Sequence, residues 1–451
     1  MANDGQVAVD AEKAWASNVS SSSSNDPGMM PKSWTVPRND LCIIPRVQDV
    51  LSRGSVHFYK PRTISIGPYY HGNGHLQTVQ EIKQLYLMDL LRRNPSISED
   101  DCMAEMRREE PRAQQCYHQD SKLPAEEFAR MMLLDAAFII EVFMKEWEDS
   151  HPPFFQSNPT RVKRDLLLLE NQLPFFVLRH LFDLTIPQTN HPILPQLAIN
   201  FFNSPLLKNR PPHLPPHMAH HHLLHLYQCQ FCPDDSRDLI TPETTYDHFT
   251  SDTVVLIPPA TVLDLMGVEL KKAPPESLLT EVKFSEVDDG NDHVKWVLEI
   301  PPLLIAEDTV ARMFNLIAFE QSNFLVGTHI TSHAAFLNSI VKKEEDVDFL
   351  WKKGIIEHRF SSHEEVIGHF AQMCSGAFVD PRNSALSAVL GCIKAYSESS
   401  EAIHRKTIWE ARMAEKPWYY FFYKDKLSIA LTLVAGVGGV GVWIFTCLQT
   451  L

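Results

Sequence analysis

The chain has 451 residues, 41 Lys+Arg against 56 Asp+Glu, and a formal net charge of −15. With 44% hydrophobic and 22% charged residues, its composition is that of a globular protein, and collagen-like or wholly disordered chains are excluded. The acidic balance argues against a nucleic-acid-binding surface, because phosphate contact needs clustered Lys and Arg.

Residues 1–40, with a serine run at 20–24, read as a disordered low-complexity leader. Asp4, Asp10 and Glu12 precede no apolar run, so no signal peptide is expected. From 41 to 415 the pattern is that of one large, mainly helical domain. The stretch 62–72 looks like a short strand ended by Gly-Pro and Gly turn chemistry. Leu76, Val79, Ile82, Tyr86 and Leu90 then form a stripe at helical spacing. Apolar helices are predicted over 125–147 and 161–182, and a Pro- and His-rich loop over 187–216. Alternating residues at 281–285 and 293–300, around Asp288-Asp289-Gly290-Asn291-Asp292, predict a β-hairpin. Helices return at 308–325, 331–342, 344–353, 362–374 and 384–413. The fold class is α+β, predominantly helical, with a small antiparallel sheet.

The carboxyl end differs in kind. Residues 405–426 carry +3, residues 427–451 carry no Asp, Glu, Lys or Arg, and the rest of the chain sums to −18. The 22-residue run 427–448 would span about 33 Å as a helix at about 1.5 Å per residue, which matches a bilayer core of about 30 Å. A basic and aromatic collar at 416–426, including the run PWYYFFY at 417–423, suits the membrane interface. We therefore expect a C-terminal transmembrane helix at 427–448 with a lipid bilayer as partner. Lys416, Lys424 and Lys426 favour a cytosolic position for the body, in the plasma membrane or an endomembrane. A literal G-x-G-x-x-G at 436–441 is no dinucleotide site, since no acidic residue follows to hold a ribose. Ala435 and Gly439 instead form a small-xxx-small pair that would support self-association in the bilayer, although glycines merely tolerated in a lipid-facing helix would look the same.

Eight scattered cysteines without a secretory signal read as reduced thiols. The N-x-[ST] sequon at Asn18 lies in the leader. The most metal-like window places His217, His221 and His225 at i, i+4 spacing before Cys229 and Cys232, residue types that suit Zn²⁺. The Cys-x-x-Cys follows the histidines too closely for a zinc finger, and flanking prolines favour an irregular insert. No metal or other cofactor is therefore assigned. Acids and amides interrupt apolar runs at Asp135, Glu141, Glu170, Asn171, Gln172, Glu320 and Gln321. Buried general acids and a structural polar network both fit such positions. With no G-x-S-x-G, Walker A, H-E-x-x-H or kinase set in the chain, the network is the preferred reading and no catalytic residue is assigned.

At these same residues the chain resembles the plant membrane-protein family catalogued as domain of unknown function 247. The matching segments are IIPRV at 43–47, SIGPY at 65–69, Leu134-Asp135, FIIE at 138–141, DLLLLENQLPFF at 165–176, IPPATVLDLMGV at 257–268, IPPL at 300–303, FNLIAFEQ at 314–321, residues 346–356 and the apolar tail. Two positions depart from the family pattern. Tyr70 stands where a second His is usual, and Ala136-Ala137 stand where Gly-Cys is usual. The resemblance implies a plant protein with one large helical domain and a C-terminal membrane helix, without an assigned catalytic residue. Some grass members resemble pollen-side components of self-incompatibility, which implies recognition of a protein partner. The resulting expectation is a non-enzymatic, membrane-anchored recognition or signalling protein. The alternative is a membrane-tethered enzyme or metal-dependent regulator using the His/Cys window or the buried carboxylates.

Overall fold

The apolar run at 125–147 has hydrophobic residues on every side, a pattern that suits a helix surrounded by other elements rather than one with a wet face. The structure, a computed structural model, describes residues 42–74, 78–118, 123–150, 153–187, 191–202, 220–231, 257–288, 294–323, 326–379 and 386–414. After a short helix α1 (Asp49–Ser52), helices α2 (Thr78–Arg93), α3 (Glu99–Gln114), α4 (Ala125–Trp147), α5 (Pro153–Ser157), α6 (Pro159–Asp165), α7 (Phe175–Thr185) and α8 (Leu194–Phe201) follow in order. Helix α4 is the hub of this half: α2, α3, α7 and α8 all pack on it. It buries Phe128 through Met144 at all but two positions, Arg130 and Leu134. Ala136 and Ala137, the departure from the family pattern, are fully buried there.

The second half starts with α9 (Leu223–Gln228) and α10 (Ala260–Leu265), then strands β1 (Val268–Lys272), β2 (Lys283–Asp288), β3 (Val294–Ile300) and β4 (Leu303–Ile305). Helices α11 (Glu307–Ser322), α12 (His329–Ile340) and α13 (Glu344–Lys352) lead to β5 (Ile356–His358). Helices α14 (His363–Cys374), α15 (Ser387–Ser397) and α16 (Ser400–Ala414) follow. Helix α11 packs on α9, α12, α14 and, across the two halves, on α6. Phe58 stacks on Phe314 of α11 with ring centroids 4.8 Å apart, carrying the same core through both halves.

The predicted hairpin is present as β2–β3, with Asp288 opposite Val294. The sheet is mixed, however, not antiparallel. Strand β1 pairs with β3 in parallel, Val268 opposite Trp296, in the order β1-β3-β2. The cause is the connection: residues 273–282 pass the end of β3, so β2 starts where β1 stops and runs against it, and β3 then returns between them parallel to β1. A second, two-stranded sheet pairs β4 with β5, also in parallel. Tyr396 of α15 covers the larger sheet against Trp296 and Phe284, and its hydroxyl donates to Met266 O at 2.7 Å.

Four other expectations change. Residues 62–67 form no strand, and Pro68–Tyr70 is a 3₁₀ turn. The helix predicted over 161–182 is broken into α6 and α7 by residues 166–174. The loop predicted over 187–216 contains α8. The single helix over 384–413 is two, parted at Glu398 and Ser399, where the Ser399 hydroxyl accepts the Ala402 amide at 3.2 Å. Helix α3 carried no apolar stripe to announce it, but Ser98 and Asp101 form a capping box at its start. Among the described residues no helix is long and apolar enough to cross a membrane. The leader, the collar, the run at 427–448 with Ala435 and Gly439, His217 and Cys232 all lie outside the described residues.

Candidate functional site

The residues between α6 and α7 explain why the helix breaks. Leu166 to Leu169 point into the core, but the chain then offers the amides and acids of Glu170, Asn171 and Gln172 to backbone elsewhere. Gln172 Nε2 donates to Leu166 O and Leu168 O, both at 2.8 Å, while its Oε1 accepts the Leu224 amide at 3.1 Å. Such local side-chain bonds compete directly with the helical ladder.

The same residues replace the sheet that residues 62–67 lack. Asp165 Oδ2 accepts the amides of Arg62 (2.9 Å), Thr63 (2.6 Å) and Ile64 (3.1 Å). Asn171 Oδ1 accepts the Ile66 amide at 2.7 Å, and its Nδ2 donates to Ile64 O at 3.0 Å. Asp135 of α4 accepts the Gly67 amide at 2.8 Å. Lys83 of α2, itself 1% exposed, donates to Ser65 O at 2.6 Å and pairs with Asp135. An extended segment thus has its polar backbone read by side chains from α2, α4 and the 165–172 turn. Gly67 fits here because its φ is +72° and a Cβ would lie 2.6 Å from Gln172 O.

Electrostatically this is a buried, charge-paired lattice. Burial pushes the Asp135 carboxyl above its ordinary range, while Lys83 and the Gly67 amide pull it back. Burial likewise raises Asp165, against the amides and Arg164. Arg164 donates to Asp165 Oδ1 at 2.7 Å and to His57 O at 2.8 Å.

Glu170 lies at the edge of the lattice, where its carboxylate accepts the Val47 amide and the Tyr70 hydroxyl, both at 2.8 Å, with Arg46 3.5 Å away. The tyrosine that departs from the family pattern is therefore a direct partner of Glu170. Glu141 is separate from the lattice: it is fully buried and held by Arg93, whose Nη2 lies 3.1 Å from Oε2. Glu320 is also remote, binding the amides of Ile330 (2.9 Å) and Thr331 (2.8 Å) and so fixing the start of α12. Gln321 makes a two-way pair with the backbone of Phe378, at 2.7 and 2.9 Å. The seven residues thus occupy four places, and each binds structure.

Five partners escaped the sequence reading. Lys83, Arg164 and Asp165 belong to the lattice. Asn315 accepts the Leu169 amide at 2.9 Å and donates to Phe58 O at 3.0 Å. Asp346, fully buried, accepts the amides of Thr261, Lys342 and Lys343 at 3.0–3.1 Å. A usable signal was an acid or amide inside an otherwise apolar run, as at Asp165 and Asn315. Lys83 lies on a polar-looking helix and gave none.

Among the described residues, the His/Cys window does not form a helical face. His221 and His222 precede α9, and the backbone at His222 is extended. His222 Nδ1 accepts the His225 amide and His225 Nδ1 accepts the His221 amide, both at 3.2 Å, so two imidazoles serve as backbone caps. Cys229 is buried at the end of α9. The described residues do gather three cation-ligating atoms elsewhere. Glu105 and Glu109 of α3 and His180 of α7 offer atoms within 4.8 Å of one another. Arg108 already bridges both carboxylates, supplying the positive charge a metal ion would bring.

The family model described as a plant protein of unknown function, DUF247, matches residues 44–437. The chain belongs to this family. The DUF247 match takes in the lattice, both sheets and every helix described here. The protein is also similar to UPF0481 protein At3g47200 of Arabidopsis thaliana, 29% identical over 408 residues, 84% of this chain and 82% of that one. A shorter match, 26% identical over 133 residues, joins it to putative UPF0481 protein At3g02645 of the same plant and covers 29% of this chain and 25% of that protein. No solved structure matches.

Proposed function

We propose that this DUF247 protein is a membrane-anchored recognition or signalling protein that acts by binding another protein, as the family's grass members that resemble pollen-side self-incompatibility components imply. Its buried carboxylates hold the fold, and its activity lies on the surface. The observation that carries this reading is a concavity at the end of α4. Trp147, 51% exposed, stands beside Met144, Ile186, Pro187 and His191 and the Arg93–Glu148 pair. A half-exposed tryptophan beside an arginine held in place by two carboxylates is the composition that dominates protein–protein binding energy. The apolar tail supplies the tether, and the lysine collar favours a cytosolic body.

The test is cross-linking of the full chain in its native membrane, comparing wild type with Trp147→Ala. The expected outcome is one specific cross-linked partner lost in the variant, with thermal melting and circular dichroism unchanged. An identical cross-linking pattern in a folded variant would remove this surface. Turnover of small substrates by the purified chain would remove the non-enzymatic reading.

A further inference from the structure

Residues 42–47 run alongside the carboxyl end of α3. The Ile44 amide donates to Cys116 O at 2.7 Å, and Ile44 pairs with Tyr117 as an isolated parallel bridge. This brings two thiols together across a sequence gap in which neither is held by a disulfide. The Cys42 thiol donates to His221 O at 3.2 Å, and the Cys42 and Cys116 thiols lie close enough to shift one another's titration. Cys116 Sγ lies 3.6 Å from Arg112 O, and Cys116 is 5% exposed whereas Cys42 is partly open to solvent.

We propose that Cys42 and Cys116 are a reversible, peroxide-responsive disulfide site that staples the segment before α1 to the end of α3. The backbones on either side are already paired, so closing the bond asks for side-chain rotation at Cys42 and Cys116. The two sulfurs are also unequal. The bond received from Cys42 and the nearby Arg112 guanidinium lower the Cys116 thiol from its ordinary range, and the Cys42 thiol is correspondingly raised. Elsewhere burial pushes Cys102 and Cys374 up to about 11. Cys116 is therefore the better nucleophile, and Cys42 the resolving partner.

The chemistry balances with hydrogen peroxide as oxidant. The Cys116 thiolate attacks one peroxide oxygen, forming an S–O bond and breaking O–O. Hydroxide leaves and takes up a proton as water. The Cys116 sulfur is now a sulfenic acid, oxidised as the peroxide is reduced. The Cys42 sulfur, its proton released, attacks the Cys116 sulfur. An S–S bond forms, S–O breaks, and the departing hydroxide takes that proton as a second water.

The experiment treats the full chain with hydrogen peroxide, blocks free thiols with iodoacetamide and maps peptides without reduction. The expected product is a Cys42–Cys116 linked peptide, lighter by two hydrogens than the two free peptides and lost on adding dithiothreitol. Cys116 should react roughly tenfold or more faster than Cys102 or Cys374. In Cys42→Ser the Cys116 sulfenic acid should persist and be captured by dimedone. Cys116 linked to another cysteine, or oxidising no faster than Cys102, would overturn the proposal. The wild-type map decides it even where a variant fails to fold.

Discussion

At Glu320 burial and hydrogen bonding pull in opposite directions. Burial raises its carboxyl to about 7, although the amides of Ile330 and Thr331 and the Thr331 hydroxyl all favour the charged form. The folded protein then keeps a proton that the unfolded chain releases above the ordinary value of 4.5. The stability this proton supplies is complete below that value and is lost as pH rises through about 7, on the order of 3 kcal/mol in all. Denaturant unfolding of wild type and Glu320→Gln at several pH values should show that downward slope in wild type and its absence in the variant. Equal slopes would mean that the Glu320 carboxyl is ionised throughout. His333 has the opposite sign. It is fully buried, neither ring nitrogen has a hydrogen-bond partner among the described residues, and burial lowers its pKa to about 4. An imidazole that must stay neutral contributes stability above the unfolded value of 6.5, lost as pH falls through about 4. Because its two polar atoms are desolvated without compensation, His333→Leu should stabilise the protein by about 1–3 kcal/mol at neutral pH. Destabilisation by a similar amount would show that packing of the ring outweighs its polarity.

Between elements, the decisive contacts join segments about 50 to 250 residues apart, and this separates what the sequence could reveal from what it could not. Helix α4 and the β2–β3 hairpin were legible because their signals are local: a long apolar run broken only by isolated charges, and alternation around an Asp-Gly pair. Residues 166–169 have the same apolar look as a helix interior. Only the three-dimensional position of Leu224, Ile66 and Val47 determines that Gln172, Asn171 and Glu170 leave the helical ladder to meet them. For the same reason 62–67 looked like a strand. It does need backbone partners on both sides, but side chains supply them. The polar network was therefore legible as a set of acids and amides set in apolar runs, while its extension to Lys83, Arg164 and Asp165 was not. The pair of Lys83 on α2 and Asp135 on α4 offers the sharpest test. Lys83→Met alone strands a buried carboxylate and should cost about 3–5 kcal/mol. Combining it with Asp135→Leu should cost less than the sum of the two single changes, measured by a denaturant double-mutant cycle. Simple additivity would mean the pair is not coupled.

For the whole molecule the net charge of −15 is a sum over unlike parts, and the structure accounts for the body alone. The body has a continuous core and consumes its buried charges internally. The 22 residues at 427–448 contain no Asp, Glu, Lys, Arg or His. Such a run is costly to leave in water, at about 0.8 kcal/mol for each exposed methylene, and a bilayer removes that cost. The last described helix, α16, ends at Ala414, two residues before the collar begins. The full chain should then pellet with membranes and resist alkaline carbonate extraction, whereas a chain ending at residue 415 should remain in the supernatant with its thermal unfolding unchanged. Release of the full chain by carbonate would reduce the tail to a peripheral attachment. If the run at 427–448 is the proposed anchor, the collar's lysines favour the amino-terminal side as cytosolic. Protease added outside sealed microsomes should destroy an amino-terminal tag. Protection of that tag would put the acidic body on the opposite face, and its protein partner would have to be sought there.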